Sequence, residues 1–269
     1  MSKHQGAHPR FGATDVCPFV PVSGVDMEDC AELARKLGKR VGEELGIPVY
    51  LYENAAASEE RKNLAYVRKG EYEGLPEKME DPEMAPDFGP AEFNEKSGAI
   101  AIGAREFLIA YNITLNTDIA KYATDIAFEL REKGRSARTG NTEPFYFRGK
   151  LVKNRENHYP CVECGLDFVA ESLQELEEHY LAEHGYSYID LLAEHGTTPK
   201  NIVGRSAKKP GIFSHCKAIG WFVEEYGRAQ ISINLTNYKI TPPHVVLDKA
   251  RELAAERGLV VTGSEIVGL

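Results

Sequence analysis

The sequence predicts an α+β fold, and three observations carry that expectation. The second half runs strand, helix, strand, strand, helix, strand; the first half offers a shorter strand, helix, strand run; and a Cys/His cluster with metal-ligand spacing interrupts the second half. At 269 residues and 42% hydrophobic, the chain is long enough for two compact units.

Thr14 to Val22 is apolar and β-leaning and stops at Pro21 and Gly24, so a strand is predicted there. Asp26-Met-Glu-Asp29 supplies an N-cap, and Cys30, Leu33, Leu37, Val41 and Leu45 recur at near-helical spacing up to Gly46. Pro48 to Tyr52 is the next strand. From Glu53 to Gly103 the chain is polar, with a short helix expected at Glu59 to Lys69 and prolines at Pro76, Pro82, Pro86 and Pro90. A connection of that length is usually functional.

Phe107 to Leu115 reads as a strand, and Asp118 to Lys133 as a helix with Ile119, Tyr122, Ile126 and Leu130 on one face. Ala218–Glu224 and Ala229–Leu235 are paired strands around a Tyr226-Gly227-Arg228 turn. Pro242-Pro243 opens a helix through Val246, Ala250, Leu253 and Ala254 to Gly258, and Leu259 to Thr262 is the last strand. That order is the split βαβ of a ferredoxin-like unit. The first half, with two strands and one helix, cannot bury a sheet face alone.

Between Gly134 and Gly211 stand Cys161-Val-Glu-Cys164 and His179-Tyr-Leu-Ala-Glu-His184. Two thiolates and two imidazoles about a helical turn apart can converge on one tetrahedral Zn²⁺, with Phe168 and Leu176 as a small finger core. The predicted metal set is Cys161, Cys164, His179 and His184, as a structural zinc knob. Its helix carries Glu171, Glu175, Glu177 and Glu178, which repel phosphates. With a formal net charge of −9, this argues against nucleic-acid or anionic-membrane partners. No run approaches the roughly 18 apolar residues of a membrane span. The five cysteines, odd in number and unevenly spread, fit reduced thiols and a cytoplasmic setting.

The opening His4-x-Gly-x-His8-Pro-Arg-x-Gly-Ala-x-Asp15-Val-Cys-Pro-Phe19, with Ala85-Pro-Asp-Phe-Gly-Pro90, Gly103-Ala-Arg105, Ile219-Gly-Trp221, Ala229–Leu235 and Gly263–Leu269, resembles the formiminotransferase domain of glutamate formiminotransferases. The resemblance covers about 1–134 and 211–269 and leaves the Cys/His segment as an insertion. It implies two ferredoxin-like subdomains with folate between them, the first (1–106) incomplete and the second (107–269) interrupted by a zinc-finger-like module at 135–210. It implies transfer of a formimino group between N-formimino-L-glutamate and N5 of tetrahydrofolate in histidine degradation, and a homodimer. His8 matches the family's catalytic histidine, a general acid/base suited to work near neutrality. Gly89, Pro90, Ala91, Glu92, Phe93, Asn94, Glu95, Lys96, Ser97 and Gly98 match its folate-contacting loop. Arg10 and Lys3 are expected, from charge alone, to orient substrate carboxylates, while His4 is read as scaffold and Cys17 as core. For Asp15 two roles stay open, orienting a neighbour or bonding backbone; Arg105 is read as closing its loop.

Family members have a longer stretch before the His-x-Gly-x-His segment, where three residues precede His4 here. The expectation is a chain lacking part of its first subdomain and, alone, weak or inactive in transfer. The competing reading is a non-catalytic folate-binding protein that recruits a partner through the zinc knob.

Overall fold

The computed structural model describes residues 1, 3, 10–140 and 144–268. The chain divides into unit 1, Met1–Glu106, and unit 2, Phe107–Leu269.

Unit 1 contains β1 (Asp15–Phe19), α1 (Met27–Leu45), β2 (Val49–Glu53), the short helices α2 (Leu64–Val67) and α3 (Leu75–Glu80), and β3 (Ile100–Ala104). The strands form one sheet in the order β1-β3-β2, with both pairings parallel. The third strand is a correction to the two expected from sequence. Ile-Ala-Ile-Gly-Ala is buried at every position, so it shows no alternation, and it follows a long polar stretch. It is the central strand of the three. Parallel neighbours also differ from the antiparallel ones of a ferredoxin-like sheet.

Both sheet faces are covered. On one side α1 packs with Val49, Leu51, Ile100 and Ile102; on the other, Phe11, Tyr50, Tyr52, Val67, Tyr72, Leu75 and Met79 form a second cluster. Asp26 caps α1 through a reciprocal capping box with Asp29, and Gly46 closes it in the left-handed region. The buried face of α1 follows the predicted stripe only in part: Cys30 is buried and Leu37 and Val41 pack against the sheet, but the face is centred on smaller residues. Cys30, Ala31, Ala34, Gly38 and Gly42 point inward, while Leu33 and Leu45 are 47% and 65% exposed. Small residues let the helix axis approach the sheet closely, and that close approach decides which face is buried. The helix expected at Glu59 to Lys69 is broken into a 3₁₀ turn, Glu60–Lys62, and α2, because Asn63 is extended and caps Ala65 N.

Unit 2 begins with β4 (Ile109–Leu115) and α4 (Ala120–Leu130), shorter at both ends than the expected helix. Segment 135–210 follows: β5 (Arg135–Ser136), β6 (Arg138–Thr139), β7 (Lys150–Leu151), β8 (Tyr159–Pro160), β9 (Val169–Ala170), α5 (Leu173–His179), a π-helical turn at Tyr180–His184, α6 (Tyr188–Glu194) and β10 (Lys208–Lys209). Then come β11 (Cys216–Val223), β12 (Arg228–Leu235), α7 (Pro243–Glu256) and β13 (Val261–Gly268). The four long strands form a sheet in the order β11-β12-β4-β13 with every neighbour antiparallel. Strand β12 thus separates β4 from β11. Alternate residues of β4 are buried, and with α4 and α7 they build the core around Ile113, Leu115, Ile126, Leu130, Ile231 and Val246. The last strand runs well past Thr262, because β13 follows β4 to Gly268 through two register shifts.

One buried cluster ties segment 135–210 to this core. Asp125 on α4 accepts from Arg135 at the start of the segment and from Arg257 just after α7, at 3.0 Å from Nη2. Arg135 also pairs with Glu129.

Candidate functional site

In unit 1 the segment Arg10–Ala13 lies against the far end of the loop 89–98. Ala99 N donates to Phe11 O at 3.2 Å and Ala13 N to Ser97 O at 2.8 Å, with Gly12 and Gly98 bridged between them. Backbone meets backbone so closely that only glycine fits. A Cβ on Gly12 would sit 1.9 Å from Ala99 O, and one on Gly98, where φ is +68°, would sit 2.5 Å from Phe11 O.

The near end of the loop is pinned as firmly. Asp87 Oδ2 accepts from Leu51 N and from Arg61, both at 2.8 Å, and Arg61 also donates to Ala85 O at 2.7 Å. Val49 N donates to Phe88 O at 3.0 Å. Between these anchors Gly89 to Phe93 are exposed, with Phe93 37% exposed. Asn94 shapes the turn by accepting from Ser97 N (2.9 Å) and, through its carbonyl, from Gly98 N (2.7 Å). Glu95 and Lys96 are exposed as well, and the N-terminal amine donates to Lys96 O at 2.8 Å.

Tyr72 joins the two segments and escaped sequence reasoning. Its hydroxyl donates to Glu95 O at 2.7 Å, its N–H to Arg10 O at 2.8 Å, and its ring lies 5.3 Å from that of Phe93. Nothing in Lys69-Gly-Glu-Tyr-Glu-Gly74 marks it. Arg10 sits over the Tyr72 ring at 5.7 Å and pairs with Glu73, whose carboxyl it holds below the usual range. Lys78 was also missed. It is buried behind Phe11 and Tyr50, at 5.3 and 5.2 Å from their rings, and donates to Val67 O. Burial, then Arg61 and Lys69, push its pKa down to about 8.

Asp15 takes both roles left open for it: Oδ1 accepts from Phe11 N at 2.7 Å, and Oδ2 pairs with Arg68 at 2.6 Å. Arg105 donates to Glu106 O at 2.8 Å, and its N–H bonds Phe19 O at 3.0 Å, which closes its loop. Cys17 is half-buried, packs against the α1 face, and burial raises its thiol pKa. Lys3 is exposed. His4 and His8 lie outside the described residues.

The Cys/His cluster assembles in unit 2. The ligand atoms of Cys161, Cys164, His179 and His184 all lie within 4.8 Å of one another. Sγ of Cys161 is 3.3 Å from Nε2 of His184, and Sγ of Cys164 is 3.3 Å from Nε2 of His179. A tetrahedral zinc with Zn–S near 2.3 Å and Zn–N near 2.0 Å separates its ligand atoms by roughly 3.3–3.8 Å, a spacing the two Cys–His contacts match. The two histidines are five residues apart, which in an α-helix would turn them to different faces. The π turn at Tyr180–His184 supplies the missing rotation. His179 stacks on Phe168 at 3.8 Å, and Leu176, Tyr180, Tyr188 and Leu192 close a small core behind the cluster.

Beyond the fold, comparison with known proteins gives the class and then the family. The model of the formiminotransferase domain, N-terminal subdomain, matches residues 1–105, and that of the formiminotransferase domain matches 198–269. The formimidoyltransferase-cyclodeaminase of Dictyostelium discoideum is 38% identical over 269 residues, covering all of this chain and 37% of that protein. The glutamate formimidoyltransferase of Thermoplasma acidophilum is 36% identical over 271 residues, covering 64% of that protein. A formiminotransferase cyclodeaminase-like protein of Arabidopsis thaliana is 30% identical over 217 residues, 76% of this chain and 70% of that protein. The chain belongs to the formiminotransferase family, and it spans between about a third and two thirds of the length of the first two relatives. The Cys/His cluster falls in 106–197, between the two matched stretches. Among the described residues no helix is long and apolar enough to cross a membrane.

Proposed function

We propose that this chain is a glutamate formimidoyltransferase, moving the formimino group between N-formimino-L-glutamate and N5 of tetrahydrofolate. The relatives' names support the reaction, and one observation carries it onto this molecule: the seam between Gly12 and Gly98 that holds the residues following His8 against the exposed loop 89–98. In this reading the loop contacts folate and Phe93, braced by Tyr72, presents its ring to the pterin or its aryl tail. N5 attacks the amidine carbon; the proton it sheds as the C–N bond forms passes to the His8 imidazole. His8 then returns that proton to the glutamate nitrogen as the second C–N bond breaks, so one base near neutrality serves both steps. Arg10 binds a substrate carboxylate by exchanging its Glu73 partner.

Unit 1 then corresponds to the N-terminal subdomain and unit 2 to a ferredoxin-like C-terminal one, interrupted by 135–210. Cys161, Cys164, His179 and His184 hold a structural Zn²⁺ there, with the zinc linking two otherwise separate loop and helix segments. A homodimer and a cytoplasmic setting complete the reading.

The test is titration of the purified chain with tetrahydrofolate, and a transfer assay with N-formimino-glutamate. Saturable folate binding that weakens in Phe93→Ala is expected, along with loss of any transfer in His8→Ala while folate binding persists. Absence of folate binding refutes the proposal. Elemental analysis tests the metal: about one zinc per chain, lost in Cys161→Ser, is expected, and a content well below one removes the zinc from it.

A further inference from the structure

We infer that the recess between α4 and segment 135–210 is a binding site for a small, multiply charged oxyanion, phosphate or carboxylate. The cavity measures about 390 Å³ and is lined by Lys121 and Arg131 from α4 and its end, Arg138 on β6 and His195 after α6. That volume is in the range of small-molecule sites, roughly 300–1,000 Å³. In a chain of net charge −9, three cationic side chains and a histidine converging on one recess need an explanation.

Local acids do not provide it. Among the described residues no carboxylate forms an ion pair with Lys121, Arg131, Arg138 or the adjacent Lys208. Asp125 also lines the recess, but its two oxygens are committed to Arg135 and Arg257. Neutral groups hold the cations instead. Arg131 bonds Gly134 O through Nε at 2.8 Å and stacks on Phe128 at 3.8 Å, and Arg138 bonds Gly149 O at 2.6 Å. Lys208 reaches Ser136 Oγ at 3.0 Å.

These cations therefore have no carboxylate partner among the described residues, and burial and like charge act on them together. Burial, then Arg135, lowers the Arg131 pKa; burial, then Lys133 and Arg131, lowers that of Lys208. Burial, followed by Lys208, pushes His195 down to about 4, against the bond its Nε2 donates to Lys133 O at 2.6 Å. A bound oxyanion would offset the like-charge part of each of these shifts. Two guanidiniums suit forked binding of phosphate or carboxylate oxygens. The Phe147 ring, 4.8 Å from the Lys121 ammonium, offers a flat wall for an uncharged part of the ligand.

The experiment is calorimetric titration of the zinc-loaded full chain at low ionic strength with pyrophosphate and, separately, citrate. Saturable one-to-one binding of at least one probe is expected, weakened about tenfold or more in Lys121→Gln and in Arg138→Gln, the scale of a lost bond to a charged group. Arg251→Gln, on exposed α7 beside Asp248, is expected to bind as the parent does. Binding of pyrophosphate alone identifies a phosphate ligand, citrate alone a polycarboxylate, and both a site that reads charge. Lys121 is exposed, so Lys121→Gln keeps the test open should Arg138→Gln misfold. No saturable binding, or equal binding by parent and both variants, overturns the inference. The second outcome would also mark chelation at the Cys/His cluster.

Discussion

Asp125→Ala is the sharpest probe of how segment 135–210 is held. The Asp125 side chain is 1% exposed and sits between Arg135, 7% exposed, and Arg257, fully buried. Removing the carboxylate leaves Arg135 its bond to Glu129, but leaves Arg257 only Leu253 O at 2.8 Å and the exposed Glu256 at 3.8 Å. Breaking one side of a buried ion pair costs about 3–5 kcal/mol, because the other charge stays buried and unpaired. The partial compensation at Arg135 places the expected loss near the lower end, about 3 kcal/mol. Urea unfolding followed by Trp221 fluorescence measures it, since the single tryptophan lies on β11 of the same unit. The double replacement Asp125→Leu/Arg257→Met removes both charges and should recover most of the loss, to within about 1.5 kcal/mol of the parent. A single variant that loses under 1 kcal/mol, or a double variant as unstable as the single, would refute the reasoning.

Three further outcomes follow from particular contacts. Gly42→Ala should destabilise unit 1 by about 1–3 kcal/mol despite alanine's better helix propensity, because its Cβ would meet Gly89 N at 2.5 Å and force the loop outward. Weaker tetrahydrofolate binding should accompany it; a stabilised variant with unchanged binding contradicts the geometry. Tyr72→Phe removes the bond to Glu95 O and should cost about 0.5–1.5 kcal/mol while speeding amide exchange at 94–98, read by mass spectrometry. For His195 the folded pKa of about 4 lies below the unfolded 6.5, so below pH 6.5 the unfolded chain takes up a proton that the folded chain declines. Stability therefore falls as pH drops from 6.5 toward 4. His195→Gln, which can still donate to Lys133 O, should flatten that slope; urea midpoints at pH 7 and 5 decide it.

How legible the molecule was depends on whether the deciding forces are local. In unit 2, antiparallel strands keep one face buried, so Ile109, Tyr111, Ile113 and Leu115 alternate with polar or small neighbours and announce β4. In unit 1 the sheet is covered on both sides, so β3 carries no alternation, and Ile-Ala-Ile-Gly-Ala is hard to separate from a loop edge. The inward face of α1 was legible only at Cys30, Leu37 and Val41, because close packing against β2 and Phe88 favours Gly38 and Gly42 over Leu33, a choice no helical wheel contains. The Cys and His donors were visible as a spacing, but not the π turn that aims them. The loop 89–98 was named through the family resemblance and Arg10 from its charge; Tyr72 and Lys78, which brace them, depend on contacts across 23 and 11 residues and leave no pattern.

The entry and exit of segment 135–210 bear on what a metal there would stabilise. Ser136 pairs with Lys208 and Arg135 with Lys209 in a two-stranded ladder, so the segment leaves and rejoins unit 2 at one point. Its own core, Leu176, Tyr180, Tyr188, Leu191, Leu192 and Ile202, is separate from the cluster that joins β4, α4, β11, β12 and α7. A seventy-odd residue loop closed at its base taxes the host fold only weakly, since closure entropy grows with the logarithm of length. The energy of zinc binding should therefore fold the segment and hardly touch the four-stranded sheet. Chelation of the zinc-loaded chain is expected to strip amide protection from 159–195 while β4 and β12 keep theirs and the Trp221 unfolding midpoint shifts little. Loss of protection in β4 and β12 together with the segment would mean that the two cores are one cooperative unit, and that the Asp125 cluster transmits rather than isolates the loss.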